Sequence, residues 1–187
     1  QRQMCIRDRP YLAFCNELVT ERARAKEILF EYNNLHPSEM EKRTEILKHF
    51  LGATGKQLLI EQPFCCDYGY NIRVGENFYA NMGCTILDEA LVTFGDNVLL
   101  APNVSIYTAG HAVNVAQRVA GWEYAYPVTV GHNVWIGGNV VILPGVSIGD
   151  NSIIGGGSVV TKDIPANVIA VGNPCKVIRE LTEDELK

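Results

Sequence analysis

His111 is the side chain whose type and surroundings best suit proton transfer. It lies in residues 107–127, a stretch without the regular pattern found on either side of it. A neutral imidazole takes the proton from a hydroxyl group as that group attacks, and an irregular segment of this length inside a compact fold is usually functional. We therefore predict that His111 is a general base, whereas His36, His49 and His132 are surface or structural residues.

Several polar side chains are candidates for binding a hydroxyl-bearing molecule. Asn81 occupies a place in the repeat described below where glycine normally stands, so the repeat does not explain it. Asp67 and Glu89 carry carboxylates, which accept strong hydrogen bonds from hydroxyl groups. Glu89 has a second interpretation, as a charged residue exposed to solvent. It lies between Ile86 and Phe94, where the six-residue repeat described below is shifted by two residues. Tyr79 and Glu123 belong to the same surfaces and are further candidates.

The elements that position these residues follow from a six-residue period. Apolar residues recur at every sixth position in blocks, at Val74, Ala80 and Ile86, then Phe94, Leu100 and Ile106, then Val130, Ile136, Ile142, Ile148, Ile154 and Val160. Glycine often follows directly, as at Gly75, Gly95, Gly131, Gly137, Gly149 and Gly155. A helix would repeat every 3.6 residues and a strand every two, so neither pattern fits.

A short strand and a tight turn together fill six residues, and three such units close a triangular coil with its apolar residues on the axis. We predict a mainly β fold, a single-stranded parallel β-helix interrupted by the loop 107–127. The glycines are expected to supply backbone angles that a β-carbon forbids. Asparagine visits the left-handed region readily and is expected at the same turns, at Asn77, Asn97, Asn133, Asn139 and Asn151. A β-sandwich is the alternative, but its strands recur at about 8–12 residues.

Residues 16–51 do not follow the period and are predicted to form two helices. The segment His36-Pro37-Ser38 separates them, and Ser38 with Glu41 three residues later is a capping-box pattern for the second helix. The resulting organisation is an N-terminal segment 1–9 that resembles nothing later in the chain, a helical region 10–54, the β-helix 55–181 and a tail 182–187.

Composition excludes several classes of protein. The formal charge of −5 disfavours a nucleic-acid partner, because phosphate binding needs a basic surface. The sequence contains no apolar run of about 18 residues, so no membrane partner is expected. The six cysteines are scattered, without a Cys-x-x-Cys pair. That spacing predicts reduced thiols and a cytoplasmic location rather than disulfides or a bound metal.

In combination, these motifs resemble the hexapeptide-repeat acetyltransferases, specifically the maltose and galactoside O-acetyltransferase branch. The resemblance covers about residues 10–181 and is carried by 63–72, 77–81, 100–104, Gly110-His111, 127–131, 133–138, 160–165 and Gly172-Asn173-Pro174. It implies a left-handed coil, a homotrimer with active sites between neighbouring coils, acetyl-CoA as donor and a sugar hydroxyl of maltose, glucose or galactoside type as acceptor.

The resemblance also implies roles for individual residues. His111 matches the catalytic position, and Asn81 the residue at the substrate hydroxyl and donor. Trp135 is expected against the pantetheine arm of acetyl-CoA, with Gly138 and Gly156 beside it. The expected contacts of its adenine and phosphate end are Thr161, Lys162, Lys176 and Arg179. The chain departs from the family in residues 11–18, which lack the usual aspartate that reaches the acceptor.

Two rival functions use the same coil. A β-helix carbonic anhydrase needs three histidines around zinc, and His111 and His132 have no third partner at a suitable spacing. A non-catalytic sugar-binding trimer is the other rival, but it does not explain an intact set of His111, Asn81 and Trp135. The sequence leaves the identity of the acceptor open.

Overall fold

A computed structural model describes residues 10–187, and the predicted N-terminal segment 1–9 lies outside them. Short parallel strands form three faces of a coil. Face 1 consists of β2 (Leu58–Ile60), β5 (Phe78–Ala80), β8 (Leu99–Leu100), β13 (Trp135–Ile136), β16 (Ile153–Ile154) and β18 (Val168–Val171). Face 2 consists of β3 (Cys65–Cys66), β6 (Thr85–Leu87), β9 (Ser105–Tyr107), β14 (Val141–Ile142) and β17 (Val159–Val160). Face 3 consists of β4 (Ile72–Arg73), β7 (Val92–Phe94), β12 (Val128–Val130) and β15 (Ser147–Ile148).

The six-residue period positions the core. On face 2, Ile106 pairs with Ile142, and Ile142 with Val160, so identical positions of successive coils stack on the axis. Every predicted axial residue is buried. Each axial Val, Leu, Ile or Phe side chain stabilises the folded state by about 1.5–3 kcal/mol relative to an exposed one. The predicted parallel β-helix is confirmed.

Asparagine and glycine divide the work at the turns differently from the prediction. All five predicted asparagines have positive φ, and Asn103 and Asn167 join them. The glycines that follow axial residues do not, so the expected role in backbone angle is wrong for them. Glycine is needed at these positions because there is no room for a side chain. A β-carbon on Gly95 would lie 2.8 Å from the backbone of Gly131 in the next coil.

Four side-chain hydrogen bonds connect asparagines of successive coils along the edge between faces 3 and 1. Each amide Nδ2 donates to the Oδ1 of the next asparagine, at 2.7–2.9 Å, through Asn77, Asn97, Asn133, Asn151 and Asn167. The left-handed backbone at each position points the amide along the edge, so the turns are tied together outside the core.

Two helices close the lower end of the coil, α1 (Asn16–Asn34) and α2 (Met40–Phe50). Tyr32 donates a hydrogen bond to the carbonyl oxygen of Ile60, and Asn33 Nδ2 donates to that of Phe64 at 2.8 Å. The two-helix prediction is confirmed, but the capping box is wrong. Ser38 pairs with the ring of His36, and the N-cap residue of α2 is Glu39.

The upper end is closed by a change of strand direction. β19 (Lys176–Glu180) runs antiparallel to β18, and all five of its residues are exposed. The parallel ladder therefore stops at β18.

Candidate active site

The predicted loop 107–127 forms an antiparallel hairpin that leaves the coil at the edge between faces 2 and 3. Its strands are β10 (Ala109–His111) and β11 (Trp122–Ala125), joined by the short helix α3 (Val115–Val119). Asn114 caps α3 by accepting a hydrogen bond from Gln117 N at 3.0 Å. Gly121, with φ of 82°, ends it in the left-handed conformation typical of glycine at a helix C-terminus. A third strand, β1 (Tyr11–Leu12), pairs with β11.

His111 lies on β10 directly opposite Glu123 on β11. Its Nδ1 is 3.5 Å from Glu123 Oε1, with side-chain exposures of 62% for the histidine and 14% for the glutamate. A carboxylate facing Nδ1 favours the tautomer with its hydrogen on that nitrogen, which leaves the lone pair on Nε2. The arrangement suits a general base. Glu123, which was predicted as a substrate residue, contacts the His111 ring in this structure.

Three carboxyl groups lie at the same edge, in the coils below the hairpin. Asp88 is fully buried and accepts hydrogen bonds from the backbone N–H groups of Asp67 and Tyr68 at 3.0 and 2.8 Å. Burial raises the pKa of Asp88 to about 6. Glu89 is also buried, so the interpretation of Glu89 as a solvated charge is wrong. Burial, with a hydrogen bond to Asp67, raises the pKa of Glu89 to about 9.

Arg22 of α1 supplies positive charge beside this group. Its guanidinium donates to the Tyr68 hydroxyl and to the Ala13 carbonyl oxygen, each at 2.6 Å. Burial lowers the pKa of Arg22, but the hydrogen bond to Tyr68 and the nearby Asp67 and Glu89 outweigh it, so the pKa is raised overall. Arg22 was not among the predicted site residues, because nothing in its spacing connects it with Asp67.

Most of the residues predicted to bind acetyl-CoA lie away from the edge that carries His111. Asn81, Gly138 and Gly156 occupy the edge between faces 1 and 2, where Gly157 N donates to Gly138 O at 2.8 Å. Asn81 Oδ1 accepts a hydrogen bond from Met82 N at 2.8 Å, so its NH2 group is the part oriented for a ligand.

The other predicted donor residues are spread over three places. Trp135 is 52% exposed on face 1, where Tyr79 is also partly exposed. Thr161 and Lys162 are exposed at the edge between faces 2 and 3, and Lys176 is exposed on β19. Arg179, also on β19, makes two 2.7 Å contacts with Glu185 of the tail.

One copy of the chain therefore carries two separate groups of predicted site residues. His111, Asp67 and Glu89 are at the edge between faces 2 and 3, whereas Asn81 and Gly138 are at the edge between faces 1 and 2. Face 2 separates them, so the chain alone does not bring them together.

Two kinds of feature are absent from residues 10–187. In this part of the chain no three His, Cys, Asp or Glu side chains form a group suited to a metal ion. None of its helices has both the length and the apolar character needed to cross a bilayer.

Known proteins are similar to this chain in sequence and in fold. A family model described as maltose acetyltransferase hexapeptide capping motif matches residues 5–55, and one described as bacterial transferase hexapeptide (six repeats) matches residues 127–162. Galactoside O-acetyltransferase of Escherichia coli K12 is 52% identical over 169 residues, 90% of this chain and 83% of that protein. A solved galactoside acetyltransferase in complex with coenzyme A has a TM-score of 0.92 at 49% identity, covering 95% of this chain and 89% of that one. A maltose O-acetyltransferase from Clostridium difficile 630 has a TM-score of 0.92 at 54% identity, covering 94% of each chain.

Proposed function

The chain belongs to the maltose and galactoside O-acetyltransferases of the hexapeptide-repeat family, and from this premise we propose that it moves an acetyl group from acetyl-CoA to a sugar hydroxyl with His111 as general base. The observation that carries the base assignment is the contact between His111 Nδ1 and Glu123 Oε1 at 3.5 Å. With the ring hydrogen on Nδ1 toward Glu123, Nε2 carries the lone pair that takes the substrate proton.

The reaction proceeds by direct attack. His111 Nε2 takes the hydroxyl proton as the sugar oxygen bonds to the thioester carbon. The carbonyl oxygen becomes an oxyanion, which the NH2 group of Asn81 stabilises by donating a hydrogen bond. The intermediate then expels the thiolate of coenzyme A, which receives the proton from the imidazolium. The products are an acetylated sugar and free coenzyme A, and His111 returns to its neutral form.

The acceptor pocket is suited to neutral polyhydroxyl compounds. Asp67 accepts hydrogen bonds from sugar hydroxyls, while Glu89, protonated at neutral pH, both donates and accepts. Arg22 offsets the remaining negative charge nearby. Tyr79 is a further acceptor contact, from face 1 of a neighbouring copy.

The separation of the two groups of site residues supports a ring of identical chains. The edge between faces 2 and 3 of one copy meets the edge between faces 1 and 2 of the next, so the contact joins two different surfaces. Such heterologous contacts close into rings when the rotation permits. We propose the homotrimer, with one active site at each contact.

Acetyl-CoA then lies along this contact. Trp135 packs against the pantetheine arm, and Gly138 and Gly156 leave room for the arm beside the backbone. Thr161, Lys162 and Lys176 bind the adenine and phosphate end, and Arg179 joins them by exchanging Glu185 for phosphate. The free cysteines among the described residues agree with a reducing cytoplasm.

His111→Ala tests the proposed base. The variant is expected to lose about 10²- to 10⁴-fold in turnover, because the hydroxyl keeps its proton during attack. Thiol release from acetyl-CoA with a panel of maltose, glucose and galactosides measures it. His132→Ala is the matched control, since this exposed histidine also faces a carboxylate, Asp96 at 3.4 Å, but lies outside the hairpin. Near-normal turnover in a folded His111→Ala protein contradicts the mechanism.

A further inference from the structure

Tyr11, Glu123 and His111 form one row across the three-stranded sheet. Tyr11 on β1 is in register with Glu123 on β11, which is in register with His111 on β10. Side chains directly opposite each other on antiparallel strands point to the same face and interact. We infer that Tyr11 is a positioning residue for acetyl transfer, holding the Glu123 carboxylate against His111; this inference rests on the proposed function.

The two contacts in the row, one hydrogen bond and one ion-pair contact, engage both oxygens of the carboxylate. The Tyr11 hydroxyl donates to Glu123 Oε2 at 2.9 Å, and Oε1 is the atom that faces His111 Nδ1. A carboxylate held by one oxygen rotates about its last torsion, which is broad. The bond from Tyr11 fixes that torsion and therefore the direction in which Oε1 points.

Tyr11 is itself held rigidly. It is only 9% exposed and packs in a small apolar cluster with Ala13, Ala90 and Ala125. Ala90 belongs to the coil and Ala125 to the hairpin, so the ring lies where the two parts of the molecule meet. Its hydroxyl therefore has a fixed position from which to hold Glu123.

The charges around the row keep Tyr11 a donor. Burial and the neighbouring Glu123 raise the pKa of the Tyr11 hydroxyl above its ordinary value, so the phenol stays protonated. Glu89 and Tyr68 are the other titratable groups near Tyr11. On the hairpin, Arg118 donates to backbone carbonyls of the turn. Glu123 is the carboxylate that contacts the His111 ring.

Two substitutions in the row are expected to move the acid limb of activity in the same direction, Glu123→Gln by more than Tyr11→Phe. Glu123→Gln removes the negative charge that stabilises the protonated ring, so the acid limb of kcat/KM moves to lower pH. Tyr11→Phe frees the carboxylate torsion, so Oε1 is no longer held against the ring, the protonated ring is stabilised less, and the limb moves in the same direction by a smaller amount. A merely structural tyrosine would leave the pH profile in place.

The experiment measures kcat/KM for acetyl-CoA and for the best acceptor from pH 5 to 9 in Tyr11→Phe, Glu123→Gln and the double variant. Tyr11→Phe is expected to lower kcat about 5- to 20-fold with little change in KM for acetyl-CoA, the scale of one hydrogen bond to a charged group. The double variant should match Glu123→Gln alone, because Tyr11 acts only through Glu123.

Tyr70→Phe is the matched control. Tyr70 also donates from a phenol to a carboxylate, Glu21 Oε2 at 2.6 Å, but outside the row, and its loss should leave the pH profile unchanged. Additive effects in the double variant, or an unmoved acid limb in Tyr11→Phe, overturn the inference. If either of these outcomes occurs while His111→Ala is inactive in the same assays, only the role of Tyr11 is contradicted. If His111→Ala is active, the assignment of His111 as general base is contradicted.

Discussion

The coil and the hairpin are built on opposite principles. The coil repeats one solution, in which an apolar residue such as Ile142 stacks on its equivalent in the next turn. The hairpin repeats nothing, and its important contacts join distant parts of the chain, as Tyr11 and Glu123 do across 112 positions. Regular stacking gives stability that is spread over many residues. The unique contacts hold a few side chains in place, and the chemistry depends on them.

The largest effect tests whether hairpin and coil edge act from different copies of the chain. His111→Ala and Asn81→Ala are each expected to lose most activity. If each site takes His111 from one copy and Asn81 from the next, co-expressing the two variants restores intact sites. Random mixing gives about one quarter of wild-type activity, because each of the two required neighbours is present half of the time.

The purified mixed protein is assayed by thiol release from acetyl-CoA. In the control, two copies of the same variant are co-expressed and purified in the same way, and this protein is expected to be inactive. Mixed protein no more active than the separate variants would place both residues of a site in one copy.

The coil side of the comparison is tested with Ile142→Ala. Ile142 is completely buried, and removing its side chain is expected to lower the free energy of unfolding by about 2–5 kcal/mol. Turnover per folded molecule should change little, because Ile142 lies in the core of the coil and is not one of the proposed site residues. Denaturant unfolding followed by circular dichroism measures the loss.

The matched hairpin variant is Val113→Ala, whose side chain is 88% exposed. We expect its free energy of unfolding to equal that of the wild type within about 0.5 kcal/mol. Equal losses in the two variants would mean that the hairpin contributes to stability as the coil does.

The smallest effect concerns the pocket where the two regions meet. Folding keeps a proton on Glu89 that the unfolded chain releases above its ordinary pKa of 4.5, because the folded pKa is about 9. This contribution to stability is complete below about pH 4.5 and is lost as the pH rises through about 9. Melting temperatures should therefore fall from pH 5 to 9, and Glu89→Gln should flatten that slope.

Glu183→Gln is the control for this pH series, since Glu183 is exposed in the tail. The same slope in wild type and Glu89→Gln would show that Glu89 does not hold the proton.

The coil was predictable from the sequence, because the apolar residue in each six-residue unit marks the position that points to the axis. Every turn repeats the same pattern. The chain position of the hairpin was also predictable, as the place where the period fails. The partners of His111 were not, because the pairing of β1 with β11 joins residues 11 and 12 to 122 and 123 and leaves no local pattern. The burial of Glu89 was not predictable either, because the two-residue shift of the repeat does not show whether the Glu89 side chain points inward or outward.

The two closed ends of the coil have a consequence for growth. Each turn of a parallel coil is a template on which a further turn, from the same or another molecule, is able to pair. At the lower end α1 and α2 occupy that template, through bonds such as that of Asn33 to Phe64. At the upper end β19 reverses direction and presents the charged residues Lys176, Arg179 and Glu180. On face 1 a further parallel turn therefore meets an antiparallel strand with charged side chains, which disfavours end-to-end stacking into filaments.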